Sequence, residues 1–150
     1  VKKYLGQCQC GKVEMTLTLS LAPNQYTPRQ CDCDFCTDYC AAYLSDPKGT
    51  LEINARSALL RKMQGSEQAI FLVCQGCNTL ISAAYQQADN TLLGALNSTL
   101  LADKALFNGP QSASPKTLAA DEKLERWKKL WMKIDLKEAK KATTLASRSF

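Results

Sequence analysis

The chain of 150 residues contains no histidine. This excludes Ser-His and Cys-His nucleophilic pairs, imidazole acid/base catalysis and mixed Cys-His metal sites. Any proton transfer must therefore use a carboxylate, a tyrosine, a thiol or metal-bound solvent. Also missing is any apolar run close to the ~20 residues that a membrane-spanning helix needs, so no membrane partner is expected. The opening Val1-Lys2-Lys3-Tyr4-Leu5 has no apolar stretch behind its lysines, and no export signal is expected from it. Apolar residues at 45% and charged residues at 22% exclude a disordered chain, and the length suits one domain with a real core.

What the chain does have is cysteine. There are eight, and without an export signal they point to a reducing, cytoplasmic compartment where thiols hold metal more often than they pair. A disulfide framework is the alternative that an even count permits. Cys74-Gln75-Gly76-Cys77 has the spacing of a redox motif, but an apolar, strand-like run follows it where a redox motif needs a helix.

The densest stretch is Cys31-Asp32-Cys33-Asp34-Phe35-Cys36, three thiols within six residues. Thiolates so spaced can converge on one soft, tetrahedral ion, and zinc is the usual occupant. Two pairs flank it, Cys8 with Cys10 and Cys74 with Cys77. Two such knuckles together make a four-thiolate structural site, which would tie an early strand to a late hairpin. Cys31, Cys33 and Cys36 would then form a second site with three protein ligands and one open position, the arrangement of a catalytic zinc. The spacing leaves two alternatives open. Either flanking pair can join the triplet instead, and Cys40, four residues after Cys36, can close the second site. Otherwise Cys40, beside Ala41 and Ala42, reads as a buried thiol acting as a small apolar residue.

The patterning around these thiols is mainly β. Val13, Met15, Leu17, Leu19 and Leu21 alternate with polar residues, as in a strand with one buried face. Pro23, Asn24 and Pro28 mark a loop, and Ala41–Leu44, Leu51–Ile53 and Leu59–Met63 read as further strands. Ala69–Val73 enters Cys74 and Thr79–Tyr85 leaves Cys77, a hairpin with a knuckle at its tip. Leu92–Leu96 is a strand, and Asn108–Ser114 is a loop. Beyond it Leu124, Trp127, Trp131 and Ile134 recur at helical spacing among Lys123, Lys128, Lys129 and Lys133, which predicts a C-terminal amphipathic helix with its tryptophans against a sheet edge. From about Leu136 a polar, basic tail is expected. Residues 121–150 hold nine Lys/Arg against five Asp/Glu and so carry +4 of the net +5. The expected organisation is a zinc-binding domain over 1–120, with a helix and basic tail over 121–150 packed on the same domain.

Cys8-x-Cys10-Gly11, then Cys31-x-Cys33-x-x-Cys36, then Cys74-x-x-Cys77, in that order, resembles the glutathione-dependent formaldehyde-activating enzymes and their relative, centromere protein V. The resemblance runs from about Tyr4 to Asn97, with a weaker echo at Arg126-Trp127. It implies a β-tent of small antiparallel sheets joined by zinc knuckles. It also implies two zinc ions, structural at Cys8, Cys10, Cys74 and Cys77, and active-site at Cys31, Cys33 and Cys36. The implied activity is that of a carbon–sulfur lyase, in which glutathione or another small thiol adds to formaldehyde to give S-hydroxymethylglutathione. The chain departs from the family pattern at Asp32, at Thr37-Asp38 and at Asn78, where members carry His, a basic residue and Gly. The competing reading is a non-catalytic zinc module that binds nucleic acid or an acidic partner through its basic C-terminal segment; a third is a redox or metal-buffer role for the thiols.

Overall fold

The computed structural model describes residues 2–31, 39–63, 69–113 and 120–138. Eleven strands and one α-helix lie among them. The strands are β1 (Lys2–Gln7), β2 (Val13–Leu19), β3 (Arg29–Cys31), β4 (Tyr43–Leu44), β5 (Thr50–Ala55), β6 (Leu59–Met63), β7 (Ile70–Cys74), β8 (Leu80–Gln86), β9 (Leu92–Asn97), β10 (Gln111–Ala113) and β11 (Met132–Glu138). The helix α1 spans Ala120–Leu130. The fold is thus mainly β, and no helix among the described residues is long and apolar enough to cross a membrane.

All the strands belong to one sheet that forks at β9. One edge of β9 carries β8, followed by β7 and β6. The other edge is shared. Leu92–Gly94 pair with β11, which leads through β5 and β2 to β1, whereas Leu96 and Asn97 pair with β4, which leads to β3 and β10. Most pairings are antiparallel; β11 with β5 and β10 with β3 are parallel.

The strand assignments follow from the alternation. Val13, Met15, Leu17 and Leu19 are all buried while the residues between them are not, as period two requires of a strand with one wet face. β7 and β8 instead read as near-continuous apolar runs because both of their faces are covered. Leu72, Ile81 and Ala84 join the main core with Met15, Leu17, Leu51 and Ile53. Phe71, Val73, Leu80 and Ala83 form a second core on the other face with Ala41, Tyr43, Ala95 and Trp131.

The expected C-terminal helix is shorter than the spacing predicts. It ends at Leu130, and Trp131 and Ile134 are not part of it. Met132, Ile134 and Leu136 alternate with Lys133, Asp135 and Lys137, a strand pattern that coincides with the helical spacing of Trp127, Trp131 and Ile134. The strand wins because β11 fills the gap between β5 and β9 and so satisfies the backbone groups of both. A Cβ at Gly94 would overlap the Ala83 carbonyl and the Ile134 side chain, so β9 admits β11 only as glycine. Trp131 is buried in the second core, as a sheet-covering tryptophan should be. Leu136–Glu138 belong to the sheet and not to a polar tail. The basic segment is therefore not one helix face, since Lys133 and Lys137 lie on β11 and Lys137 pairs with Glu52 at 3.4 Å. Strands β1, β3 and β10 also form where the sequence pattern predicted none.

A buried carboxylate fastens the turn before β5. Asp46 accepts hydrogen bonds from the Ser20 amide (2.9 Å), the Ser20 hydroxyl (2.6 Å), the Tyr26 hydroxyl (2.7 Å) and the Lys48 amide (2.9 Å). Burial would push its carboxyl up, but these bonds together pull it down to about 2. Because the folded value lies below the ordinary 3.8, the stabilisation is complete above about pH 4 and is lost as pH falls through about 2. Asp46→Asn is expected to lower stability by ~2 kcal/mol at pH 7. In urea unfolding monitored by tryptophan fluorescence, the gap to the parent chain should close as pH approaches 2.

Candidate metal centre

Two tight turns carry the four flanking cysteines. Cys8-Gln9-Cys10-Gly11 connects β1 to β2; the Cys8 amide bonds the Val13 carbonyl at 3.0 Å and the Gly11 amide bonds the Cys8 carbonyl at 3.0 Å. Gly11 has φ +76, a left-handed conformation that lets the chain reverse at little cost. The Arg56 guanidinium clamps the Gly11 carbonyl at 2.9 Å. The second turn, Cys74 to Cys77, is the tip of the β7–β8 hairpin. There the Cys74 amide bonds the Thr79 carbonyl (2.9 Å) and the Asn78 amide bonds the Cys74 carbonyl (2.7 Å).

These turns belong to strands far apart in the sheet. From β2 the ladder runs through β5, β11, β9 and β8 before it reaches β7. Yet the Sγ atoms of Cys8, Cys10, Cys74 and Cys77 all lie within 4.8 Å of one another. The sheet therefore curls until its two ends meet, and the four sulfurs are the clasp. Inside the curl an open cleft of about 410 Å³ remains, lined by Arg61, Leu72, Ala84, Leu92, Ile134 and Leu136 among others. Glu138 at the end of β11 closes part of the far side, bonding the Leu59 amide at 3.0 Å and Arg61 at 2.8 Å.

The sulfur geometry suits a metal. Cys8 and Cys10 are 3.5 Å apart and Cys10 and Cys74 are 3.7 Å apart. A disulfide would need about 2.05 Å. Four thiolates ~2.3 Å from a central ion would be spaced by about 3.8 Å, so the donor set fits a soft tetrahedral cation. Cys8 and Cys74 are buried, Cys77 is half-buried and Cys10 is exposed. Burial opposes ionisation of Cys77, but the Thr79 hydroxyl at 3.0 Å, the Cys10 amide and the Cys8 and Cys74 thiols pull it down to about 6. Cys10 goes the other way. The Lys12 amide favours its thiolate, but desolvation and the neighbouring sulfurs push it up to about 11. A divalent ion would ease this conflict, since it attracts all four thiolates and offsets half of their combined charge.

The region of the chain that matches known proteins includes these four cysteines. The family described as glutathione-dependent formaldehyde-activating enzyme matches residues 3–117. The chain belongs to that family. The match covers both knuckles and the central triplet, and it stops before α1 and β11, although β11 lies between β5 and β9 in the sheet. Among solved structures, a Rhodobacter sphaeroides protein is 24% identical with a TM-score of 0.50, over 73% of this chain and 99% of that one. That likeness concerns the fold. No curated protein matches the chain.

Of the cysteines singled out in the sequence, Cys8, Cys10, Cys74 and Cys77 come together. Cys31 ends β3, where its backbone pairs with Ala113 of β10. The Cys31 side chain, Cys33 and Cys36 lie outside the described residues. Cys40 is exposed, not the buried apolar filler expected from its alanine neighbours. The reason is a left-handed turn at Cys40, φ +53, which costs a residue of this kind roughly 1–2 kcal/mol. The turn is set by Asn97 and Ser98, which hold Ala42. Ser98 donates through its amide and its hydroxyl to the Ala42 carbonyl, each at 2.8 Å, and the Asn97 side-chain oxygen accepts the Ala42 amide at 3.4 Å. Thr79, Arg56, Asn97 and Ser98 were not legible as site residues; only the position of Thr79, two residues after Cys77, offered a hint.

If the four sulfurs share an ion, Cys74→Ser should abolish its binding and lower the unfolding midpoint sharply. Thr79→Val removes only the hydroxyl that supports Cys77, and it should weaken the ion by about 10–100-fold while the fold persists. Competition with a chromophoric chelator measures both effects.

Proposed function

We propose that the chain is a zinc-dependent enzyme of the carbon–sulfur lyase type, acting on thiol–aldehyde adducts such as S-hydroxymethylglutathione. In this reading Cys8, Cys10, Cys74 and Cys77 hold a structural zinc, and Cys31, Cys33 and Cys36 hold a second zinc with one position open to substrate. The observation that carries the reading is the convergence of the two flanking pairs. It accounts for four of the eight cysteines in a centre of their own and leaves the triplet as a separate ligand set. Family membership supplies the reaction class.

A zinc with three thiolate ligands supplies Lewis acidity and keeps a bound thiol deprotonated at neutral pH. The protein's own part is to present the three sulfurs and to leave a vertex free. In the reaction one C–S bond forms between the thiol sulfur and the aldehyde carbon. The proton leaves sulfur and ends on the former carbonyl oxygen. No net proton is taken up or released, so a chain without histidine is not handicapped, and the lyase direction is the same step reversed. Cys40, exposed and four residues after Cys36 in the sequence, is left out of the ligand set.

Cys33→Ala should abolish exchange between formaldehyde and S-hydroxymethylglutathione, read by two-dimensional exchange NMR, while the melting temperature stays within about 3 °C. Cys40→Gly should retain the exchange and gain stability of about 1 kcal/mol, because glycine accepts the left-handed turn without strain. Loss of the whole fold in the first variant, or loss of the second zinc in the other, would argue for a closed, purely structural centre.

A further inference from the structure

The cleft inside the curl has walls of strand residues that share one face. Ile70 and Leu72 of β7, Ala84 of β8, Leu92 of β9, and Ile134 and Leu136 of β11 line it. Residues two apart on a strand point the same way, and across the ladders Ile70 stands opposite Ala84 and Leu92 opposite Ile134. Ala84 is also paired with Gly94, so small residues keep this part of the wall low. Ile70, Leu92 and Leu136 are left only partly buried. Apolar surface open to water in this way gains free energy when an apolar ligand covers it.

The charged residues of the lining are Arg61 and Lys133. Lys133 lies within electrostatic reach of Asp89 in the β8–β9 turn. Arg61 is held by directional bonds. Its Nη1 donates to the Leu59 carbonyl at 3.3 Å and to Glu138 Oε2 at 3.4 Å, and its Nη2 donates to Glu138 Oε1 at 2.8 Å. A guanidinium has five N–H donors, and these bonds use three. The Nε hydrogen and the second Nη2 hydrogen lie side by side, with no partner among the described residues. That pair is a fork able to take a carboxylate bidentately. Glu138 fixes the plane of the guanidinium, so the fork is formed before any ligand arrives.

We propose that the cleft binds a medium-chain alkyl carboxylate, its chain against Ile70, Leu72 and Leu136 and its head on the open fork of Arg61. The cleft measures about 410 Å³. At about 30 Å³ for each water-sized group it holds roughly a dozen non-hydrogen atoms, enough for octanoate. A small inorganic anion would leave the apolar wall wet, and a neutral chain would leave the fork unpaired. None of the described cysteines is among the lining residues, so the site stands independently of the function proposed above.

Isothermal titration of the full chain tests it, with butanoate, hexanoate, octanoate, 1-octanol and inorganic phosphate as ligands. Each added methylene should tighten binding about 2–4-fold, with octanoate the tightest. Arg61→Gln should weaken octanoate about 10-fold or more and leave 1-octanol unchanged. Ile70→Trp, which carries a half-buried wall residue into the cleft, should abolish octanoate binding with Arg61 intact. Equal affinity for octanoate and 1-octanol overturns the proposal, because the head is then not recognised. Phosphate that displaces octanoate on equal terms overturns it too, because the chain then contributes nothing. The same holds for a parent chain that shows no saturable binding at millimolar octanoate. If Arg61→Gln does not fold, Ile70→Trp still decides, since octanoate bound there as tightly as to the parent places the ligand elsewhere. Each of these failures leaves the lyase reading standing.

Discussion

The constraint on which this fold depends is the meeting of four sulfurs from opposite ends of one sheet. A ladder that runs from β2 through β5, β11, β9 and β8 to β7 would lie open if it were flat. Here it curls until Cys10 and Cys74, 64 residues apart, stand 3.7 Å from each other. Closing a loop of that length costs about 4 kcal/mol in chain entropy. Crowded thiols do not repay this by themselves, since ionising one makes its neighbours harder to ionise. A structural metal ion bound by four thiolates is worth ~10–16 kcal/mol, which exceeds the closure cost several-fold. With an ion bound, such a clasp would be strong enough to shape the sheet. The hydrogen bonds from Leu59 and Arg61 to Glu138 are a smaller fastening across the same curl.

How much of this can be read from the sequence depends on the range of the interaction. β2 announces itself through strict alternation, and the β7–β8 hairpin through a knuckle between two apolar runs. Both signals are local. β11 does not announce itself, because Trp131 and Ile134 continue the helical spacing of Leu124 and Trp127. Only the gap between β5 and β9 decides that Met132–Glu138 are extended. β3 and β10 have three residues each, too few for any period to show. The knuckles themselves were legible, but their pairing was open, because it depends on how far the sheet curls. Cys40 was misjudged for the same reason. Its exposure depends on hydrogen bonds to Ala42 from residues 55 and 56 positions away.

Two of the buried polar residues, Asn97 and Asp46, sit where strands change partner or turn. Asn97 lies at the end of β9 where it pairs with β4, and its amide bonds the Leu80 carbonyl at 2.9 Å while its oxygen accepts the Thr99 hydroxyl at 2.9 Å. A side chain that satisfies backbone groups from three segments can hold a fork that ladder bonds alone leave ragged. Asp46 does the same at the turn before β5. Apolar replacements of similar size would fill the space and leave these backbone groups unpaired, which costs more than the lost contact.

The two cysteine sets thereby occupy unequal parts of the architecture. The flanking pairs sit on the closed curl, where each knuckle caps long, well-paired strands. The triplet follows β3, which belongs to the side branch from β9. That branch is lightly held: β3 meets β4 through Arg29 opposite Tyr43, and β4 meets β9 through two pairs. If the triplet admits substrate, as proposed, its ligands must tolerate small displacements, and low-stability elements are where such sites are found. On the curl, the same displacement would loosen the clasp and the core beneath it. In the proposed two-centre reading, a clasp on the long strands and a triplet on the branch separate stability from exchange.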